Sequence, residues 1–128
     1  MKVLVDTHLL LWAAAASSRL TKAVYNRLND PGIEPISSVV SLWEIVIKSS
    51  LGRKDFQVDA LRLRDGLKRN GWKELDIRAD HVLAVATLPP LHRDPFDRLL
   101  LAQAQREQVP LLTSDKQLAQ YGKPVELL

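Results

Sequence analysis

The sequence predicts an α/β fold, a three-layer α/β/α arrangement around a central, mostly parallel sheet of four to five strands. The segment Lys2–Val5 is a short, mostly apolar run that leads directly into a carboxylate, Asp6. Such a run is typical of a strand buried on both faces of a sheet. Strand-like and helix-like segments alternate along the chain, which favours parallel strands joined by helical crossovers. The 128 residues are 46% hydrophobic and 26% charged, so we expect one globular domain over residues 1–128.

The first half of the chain is predicted to contain two strands and four helices. Apolar residues recur at helical spacing, with Thr21 placed to cap one helix and Gly52 placed to end another. The turn Asp30–Gly32 precedes a weak second strand, in which Pro35 is tolerated near the start. The expected elements are a strand at 2–5, helices at 7–16 and 22–28, a strand at 33–37, and helices at 39–51 and 58–70.

The second half is predicted to contain three strands and three helices. Asp80 is placed to cap a short helix that the pair Pro89–Pro90 stops. Asp94 is placed to cap the next helix, with Pro95 in its first position. The expected elements are a strand at 72–77, a helix at 81–88, a helix from 95 to about 108, a strand at 109–113, a short helix capped by Ser114 or Asp115 and ending near 122, and an edge strand at 125–128.

Composition excludes several classes of protein. The chain has no cysteine, which excludes disulfides, thiolate metal sites and cysteine nucleophiles. No apolar run approaches the roughly 20 residues of a membrane span. The N-terminus lacks the pattern of an export signal. We therefore expect a cytoplasmic protein without membrane contact.

Positive charge is concentrated in the middle of the chain. Eight basic and three acidic residues lie between Lys48 and Lys73, so this stretch carries +5 and the remainder of the +3 chain carries −2. A basic flank beside an acidic remainder suits a polyanion whose chemistry requires a cation. The alternative is an ordinary solvated helix face.

Four acidic residues stand where solvent exposure alone does not explain them: Asp6, Glu44, Asp97 and Asp115. Asp6 and Asp115 follow apolar strands, and either could simply cap the next helix. Glu44 is the only charge among seven apolar residues in the segment 39–47. A carboxylate on an apolar helix face is costly unless a cation or hydrogen-bond donors meet it. The alternative for Glu44 is an ion pair with Lys48, one turn further on.

Asp97 begins a helix face that continues with Leu100, Leu101 and Ala104. It also stands three residues after Asp94, in the position of a capping box, although Glu or Gln is the usual residue there. Asp94 itself is assigned mainly to capping. Asp97 is therefore either a buried functional acid or an imperfect capping partner.

A metal ion would explain all four acids together. Three of them are predicted at the carboxyl ends of strands or at helix starts after loops, and a doubly wound topology brings such points to one edge of the sheet. Clustered carboxylates repel one another, and a divalent cation relieves that repulsion. All-oxygen ligation favours a hard ion, Mg²⁺ or Mn²⁺. Such an ion polarises a phosphoryl oxygen and supplies hydroxide near neutral pH, so no protein nucleophile is needed.

Four segments resemble the PIN-domain ribonucleases, in particular the small bacterial VapC toxins of type II toxin–antitoxin pairs. Their order and spacing fit over essentially the whole chain, and the third segment is the most specific. The segments are Val-Asp6-Thr-His, Ser41-Leu-Trp-Glu44-Ile, His92-Arg-Asp-Pro-Phe-Asp97-Arg-Leu-Leu-Leu-Ala-Gln-Ala and Leu112-Thr-Ser-Asp115.

The resemblance implies a PIN-like fold and a Mg²⁺-dependent endoribonuclease that acts on RNA. It implies an acidic catalytic and metal site formed by Asp6, Glu44, Asp97 and Asp115, of which Asp115 varies most in that family. Asp94 would be a cap or a secondary metal contact. The resemblance also implies a homodimer held inactive by a cognate antitoxin protein.

Two other classes remain open. Aspartyl-phosphate phosphatases and receiver domains are also α/β proteins with an Asp after a strand. The phosphatase pattern, however, requires a second Asp where this chain has His8, and the receiver pattern requires an acidic pair where Asp6 stands alone. A non-catalytic module that binds RNA or a protein partner would explain the basic stretch but not Glu44.

Overall fold

A five-stranded parallel sheet forms the centre of the computed structural model, which describes residues 1–128. Its strands are β1 (Lys2–Val5), β2 (Glu34–Ser38), β3 (Lys73–Leu75), β4 (Leu111–Thr113) and β5 (Val125–Leu127). The order across the sheet is β3-β2-β1-β4-β5, so β1 is the central strand. All four pairings are parallel.

Seven helices join and cover the strands. They are α1 (Thr7–Ala14), α2 (Lys22–Leu28), α3 (Val39–Ser50), α4 (Ala60–Arg69), α5 (Ala79–Ala84), α6 (Pro95–Glu107) and α7 (Lys116–Ala119), with short 3-10 turns at Lys54–Phe56 and Val85–Thr87. None of the helices combines the length and the apolar character that a membrane crossing requires. The predicted fold class, three α/β/α layers on a parallel sheet, is confirmed.

Side chains of β1 alternate between two apolar layers, as the two-residue period of a strand requires. Leu4 packs in one layer with Leu100 of α6. Val3 and Val5 pack in the other layer with Leu9 of α1. All five side chains are fully buried. The sheet is therefore covered on both faces, and its carboxyl edge is the place where polar groups can gather.

Three strands end in polar residues at that carboxyl edge. Asp6 follows β1, Ser38 ends β2, and Asp115 lies two residues beyond β4. Because β1 pairs with both β2 and β4 in parallel, the helices that follow all begin at this edge. The topology thus gathers segments that are more than 100 residues apart in the chain.

Gln103 fixes α6 against the ends of the strands. It is fully buried, its Oε1 accepts a hydrogen bond from Ser38 Oγ at 2.5 Å, and its Nε2 donates to the carbonyl oxygen of Asp76 at 3.2 Å. The amide therefore connects α6 to the segments after β2 and β3. This contact sets the position of Asp97, nearly two turns earlier in the same helix.

The predicted limits are too long at several ends. The helix predicted at 7–16 stops at Ala14, before Ala16, whose φ of 48° lies in the left-handed region. The helix predicted at 58–70 begins only at Ala60, because Asp59 caps it through backbone N–H groups of the first turn. The predicted caps of α2, α6 and α7 are confirmed as Thr21, Asp94 and Asp115.

The prediction for α5 is wrong at both ends. Asp80 is not its cap: the helix begins at Ala79, and Arg78 is the N-cap residue. The imidazole of His81 satisfies the helix start, since its Nδ1 accepts a hydrogen bond from the backbone N–H of Arg78 at 3.0 Å. The helix then passes into the 3-10 turn Val85–Thr87 before the proline pair.

Candidate metal centre

Asp6 follows the central strand and is 4% exposed. Its Oδ1 accepts a hydrogen bond from the backbone N–H of Leu9 at 2.9 Å, which caps α1. Its Oδ2 accepts a hydrogen bond from Thr113 Oγ1, and the same hydroxyl oxygen accepts one from the backbone N–H of Asp115. Burial above all, with a contribution from the charge of Glu44, raises the pKa of Asp6 to about 6. Asp6 is therefore a cap and also a carboxyl that resists ionisation.

Glu44 lies on α3 and is 1% exposed. Its Oε2 accepts from Lys48 Nζ at 2.5 Å, so the ion pair considered as an alternative is present. Its Oε1 is buried and has no hydrogen-bond partner. One oxygen of Glu44 is thus neutralised by the protein, and the other is left with its full desolvation cost.

Lys48 is enclosed by more than Glu44. Its Nζ lies 3.4 Å from Asp94 Oδ2, and it faces the rings of Phe56 and Phe96 at 4.9 and 5.5 Å from their centroids. Aromatic faces attract a cation, more so when water is excluded. The ammonium group is therefore held by two carboxylates and two rings.

Asp94 and Asp97 occupy the start of α6. Asp94 Oδ1 caps the helix, accepting from the backbone N–H groups of Phe96 at 2.8 Å and Asp97 at 3.2 Å. Asp97 does not complete a capping box, because the backbone N–H of Asp94 donates to His92 Nδ1 instead. Burial raises the pKa of Asp97 to about 8, and the charges of Asp94, Glu44, Asp6 and Asp115 add to the effect.

Asp115 approaches the other acids from the loop after β4. Its Oδ1 accepts from the backbone N–H of Gln117 at 2.8 Å, and its Oδ2 accepts from His92 Nε2 at 2.9 Å. Burial acts to raise the pKa of Asp115, but these hydrogen bonds outweigh it and the pKa is lowered. His92 Nε2 also lies 3.3 Å from Asp97 Oδ2. Potential ligand atoms of His92, Asp97 and Asp115 all lie within 4.8 Å of one another.

Of the four acids predicted as the site, Asp97 and Asp115 come together with His92, whereas Asp6 and Glu44 lie outside that group and act on Asp97 through their charges. Each of the other three raises the pKa of Asp97 through its charge, which requires them to be near it. With Asp94 the cluster contains five carboxyl groups, and Lys48 is the ammonium paired with it. An oxygen-rich donor set with an orphaned buried oxygen on Glu44 fits a hard divalent cation.

Several residues that shape the cluster were not singled out from the sequence as functional. Lys48 was weighed only as a partner for Glu44, and its spacing of four residues was the available signal. His92 was noted only as part of a motif, whereas the resemblance implied that Thr113 or Ser114 could help to hold water or metal. Arg98 holds the loop before α6 by donating to Tyr121 Oη and to the carbonyl oxygens of Val85, Leu88, Pro89 and His92.

Fewer basic side chains in the stretch between Lys48 and Lys73 are unpaired than the sequence suggests. Four of its eight basic side chains form ion pairs: Lys48 with Glu44 and Asp94, Arg53 with Asp55, Arg62 with Asp59, and Arg64 with Glu74. Glu74 lies just outside the stretch, so it offsets a charge that the count of +5 left unopposed. The exposed face therefore presents fewer unopposed charges to a polyanion.

Replacing Lys48 with Met should destabilise the metal-free protein by about 3–5 kcal/mol, because Glu44 would then be a buried charge without a partner. Lys54→Met is the matched control, since Lys54 is exposed and should change stability by less than about 0.5 kcal/mol. Urea unfolding in EDTA measures both variants. Equal effects of the two substitutions would contradict the assigned role of the ion pair.

Raising the pH should destabilise the metal-free protein between about pH 4 and pH 8. The pKa of Asp6 rises from 3.8 to about 6 and that of Asp97 from 3.8 to about 8 on folding. The folded state therefore binds more protons than the unfolded state in this range, and its stability falls as pH rises.

The measurement is the thermal midpoint in EDTA as a function of pH, for the wild type and for Asp97→Asn. The variant lacks the group with the larger shift, so its midpoint should fall less between pH 6 and pH 8. Parallel curves for the two proteins would contradict the raised pKa of Asp97.

Known proteins resemble this chain in family and in fold. The family model described as PIN domain matches residues 3–124, whereas no curated protein matches the sequence. The fold is similar to VapBC2 from Rickettsia felis bound to a DNA fragment from its promoter, with a TM-score of 0.70, 18% identity, and coverage of 100% of this chain and 98% of that one.

Two further solved structures are similar. VapBC-1 from nontypeable Haemophilus influenzae has a TM-score of 0.67 and 15% identity, covering 100% of this chain and 97% of that one. VapC20 from Mycobacterium tuberculosis, a sarcin-ricin loop cleaving toxin, has a TM-score of 0.63 and 16% identity, covering 94% and 95%. The resemblance indicated by the four sequence segments is confirmed: since the family model spans nearly the whole sequence, the chain belongs to the PIN-domain family.

Proposed function

We propose that this chain is a metal-dependent endoribonuclease that hydrolyses RNA phosphodiester bonds, and that it is the toxin of a toxin–antitoxin pair. The observation that carries the proposal is Glu44 Oε1, a carboxylate oxygen without a partner in a residue that is 1% exposed. A buried polar atom left unsatisfied costs about 1–3 kcal/mol. A cation taken up from solution would remove that cost.

The proposed ligands of a Mg²⁺ or Mn²⁺ ion are Asp6, Glu44, Asp97 and Asp115. Asp94 is assigned a supporting role, because one of its oxygens caps α6 and the other lies against Lys48. When bound, the ion would polarise a phosphoryl oxygen and activate a water molecule for attack on phosphorus. The oxygen donors suit either of these hard ions.

The metal-free structure indicates a role for three side chains of the proposed site. Asp97, with a pKa of about 8, carries a proton at neutral pH and must release it when the ion binds. Asp6 is held in place at both oxygens, by Leu9 N–H and by the hydroxyl of Thr113. Lys48 keeps Oε2 of Glu44 neutralised, so Oε1 is the oxygen offered to the ion.

RNA is the proposed substrate because of a structural relative. VapC20 of Mycobacterium tuberculosis is described as cleaving the sarcin-ricin loop, and its fold covers 94% of this chain. The exposed Arg62, Lys68 and Arg69 of α4 could contribute contacts to a phosphate backbone.

The aspartyl-phosphate alternative lacks the second acid that the phosphatase pattern requires two residues after its nucleophile, because that position is His8. The non-catalytic alternative offers no reason to keep Glu44 Oε1 buried without a partner.

Substituting Asn for Asp6 or Asp97 should lower the rate of RNA hydrolysis at least about 100-fold. The protein should remain folded. The amide removes the charge that the ion requires but keeps nearly the same shape. Asp65→Asn is the matched control, since Asp65 is an exposed residue of α4 and should retain full activity. Cleavage of total cellular RNA with Mg²⁺ or with EDTA measures all three variants, and full activity of either site variant would overturn the assignment.

The proposed partner is an antitoxin protein. Relatives from Rickettsia felis and Haemophilus influenzae were solved as VapBC assemblies. In this chain a groove of about 1340 Å³ lies between α1, α2 and α4, and 13 of its 24 lining residues are hydrophobic. We assign the groove to a segment of the antitoxin, and the chain itself is proposed to form a homodimer.

Filling the groove should weaken the antitoxin complex. Ala14→Arg places a long charged side chain at the groove and should reduce affinity for the co-expressed antitoxin at least about tenfold, since it introduces a charge without a partner. Ala79→Arg is the control, at an exposed first residue of α5. Co-purification with light scattering reports both the complex and the dimer, and wild-type affinity of Ala14→Arg would exclude the groove.

A further inference from the structure

His92 is held rigidly at the entrance to α6. Its side chain is 8% exposed, and its Nδ1 accepts a hydrogen bond from the backbone N–H of Asp94 at 3.1 Å. Its own backbone N–H donates to Tyr121 Oη at 3.1 Å, and its carbonyl oxygen accepts from Arg98 at 3.3 Å. The backbone and the ring are therefore both fixed.

The contact to Asp94 determines which ring nitrogen carries the proton. A backbone N–H can donate only to a nitrogen that presents a lone pair, so Nδ1 is unprotonated. The proton of the neutral ring is then on Nε2, the tautomer being set by the partner of the other nitrogen. Nε2 faces Asp115 Oδ2 at 2.9 Å and Asp97 Oδ2 at 3.3 Å.

A protonated Nε2 cannot coordinate an ion, although imidazole is a common metal ligand. We propose that His92 is a positioning residue: its Nε2–H donates to Asp115 Oδ2, holds that carboxylate beside Asp97, whose Oδ2 lies 3.3 Å from Nε2, and leaves the ion an all-oxygen set of ligands. This inference rests on the proposed metal site. The carboxylates belong to α6 and to the loop after β4, so the donor joins two separate elements of the fold.

The ring lies between acids of two separate elements. Its Nε2 is 2.9 Å from Asp115 Oδ2, to which it donates, and 3.3 Å from Asp97 Oδ2. A single N–H therefore fixes the distance between the loop after β4 and the start of α6. Its removal should let the loop after β4 move away from α6 and make the ligands less well placed for an ion.

Two substitutions separate this role from simple support of the turn. In His92→Gln the side-chain amide nitrogen is separated from Cβ by the same number of bonds as Nε2 of the histidine. The variant therefore retains a hydrogen-bond donor to the carboxylates. In His92→Asn the side-chain oxygen can still accept from the backbone N–H of Asp94, but no donor reaches the carboxylates. The Asn variant is thus the matched control that keeps the turn and loses the donor.

The experiment measures Mn²⁺ binding by electron paramagnetic resonance, without RNA. We expect His92→Gln to bind Mn²⁺ within about threefold of wild type and His92→Asn to bind about 10- to 100-fold more weakly, the range for lost partners of metal ligands. The bound Mn²⁺ should show no nitrogen-14 coupling from a directly bound imidazole. Long-range proton–nitrogen spectra of the metal-free protein should show the proton of His92 on Nε2.

Each contrary result has a distinct meaning. A nitrogen-14 coupling that His92→Gln abolishes would make His92 a ligand, overturning this inference while leaving the proposed nuclease site in place. If His92→Asn binds Mn²⁺ with wild-type affinity, His92 only stabilises the turn, and this inference is overturned as well. Failure of the wild type to bind Mn²⁺ would overturn the metal site and this inference together.

Discussion

Mutual repulsion of carboxyl groups at one edge of the sheet is the constraint on which the rest of this structure depends. Burial and neighbouring charges raise the pKa of Asp6 to about 6 and that of Asp97 to about 8, so the metal-free cluster avoids full ionisation by keeping protons. Lys48 neutralises a further part of the charge through Glu44 and Asp94. The core packing on both faces of the sheet holds these groups together against the repulsion.

Three acids of the cluster each contact a helix start with one oxygen and a side chain of the proposed site with the other. Asp6, Asp94 and Asp115 each use one oxygen to cap a helix, α1, α6 and α7 respectively. The second oxygen of each contacts a side chain, Thr113, Lys48 or His92. A cap and a functional acid were treated as alternatives in the sequence, but the two oxygens of one carboxyl group can fill both roles.

Local sequence was sufficient for the fold class and for the positions of the acids. An apolar run followed by Asp6 or Asp115 marks a strand end, and Asp94 before Pro95 marks a helix start, because these signals depend on neighbours in the chain. The error at Asp80 has a tertiary cause, since His81 is fully buried and its ring satisfies the helix start.

Contacts between distant segments could not be predicted in this way. The approach of Lys48 to Asp94 joins residues 46 apart, and that of Thr113 to Asp6 joins residues 107 apart. The strand order had to be known before either could be inferred. Which ring nitrogen of His92 donates likewise depends on the fold, because the backbone N–H of Asp94 points toward Nδ1.

The use of aspartates as helix caps has a consequence for how this gene can change. Asn is as good a capping residue as Asp, and a single nucleotide change converts an Asp codon to an Asn codon. Such a change at Asp6 or Asp115 would keep the hydrogen bond to the helix start while removing a charge from the cluster. The fold is therefore robust to the mutations that most directly alter the site, and a population carrying this chain can generate stable, chemically altered forms in one step.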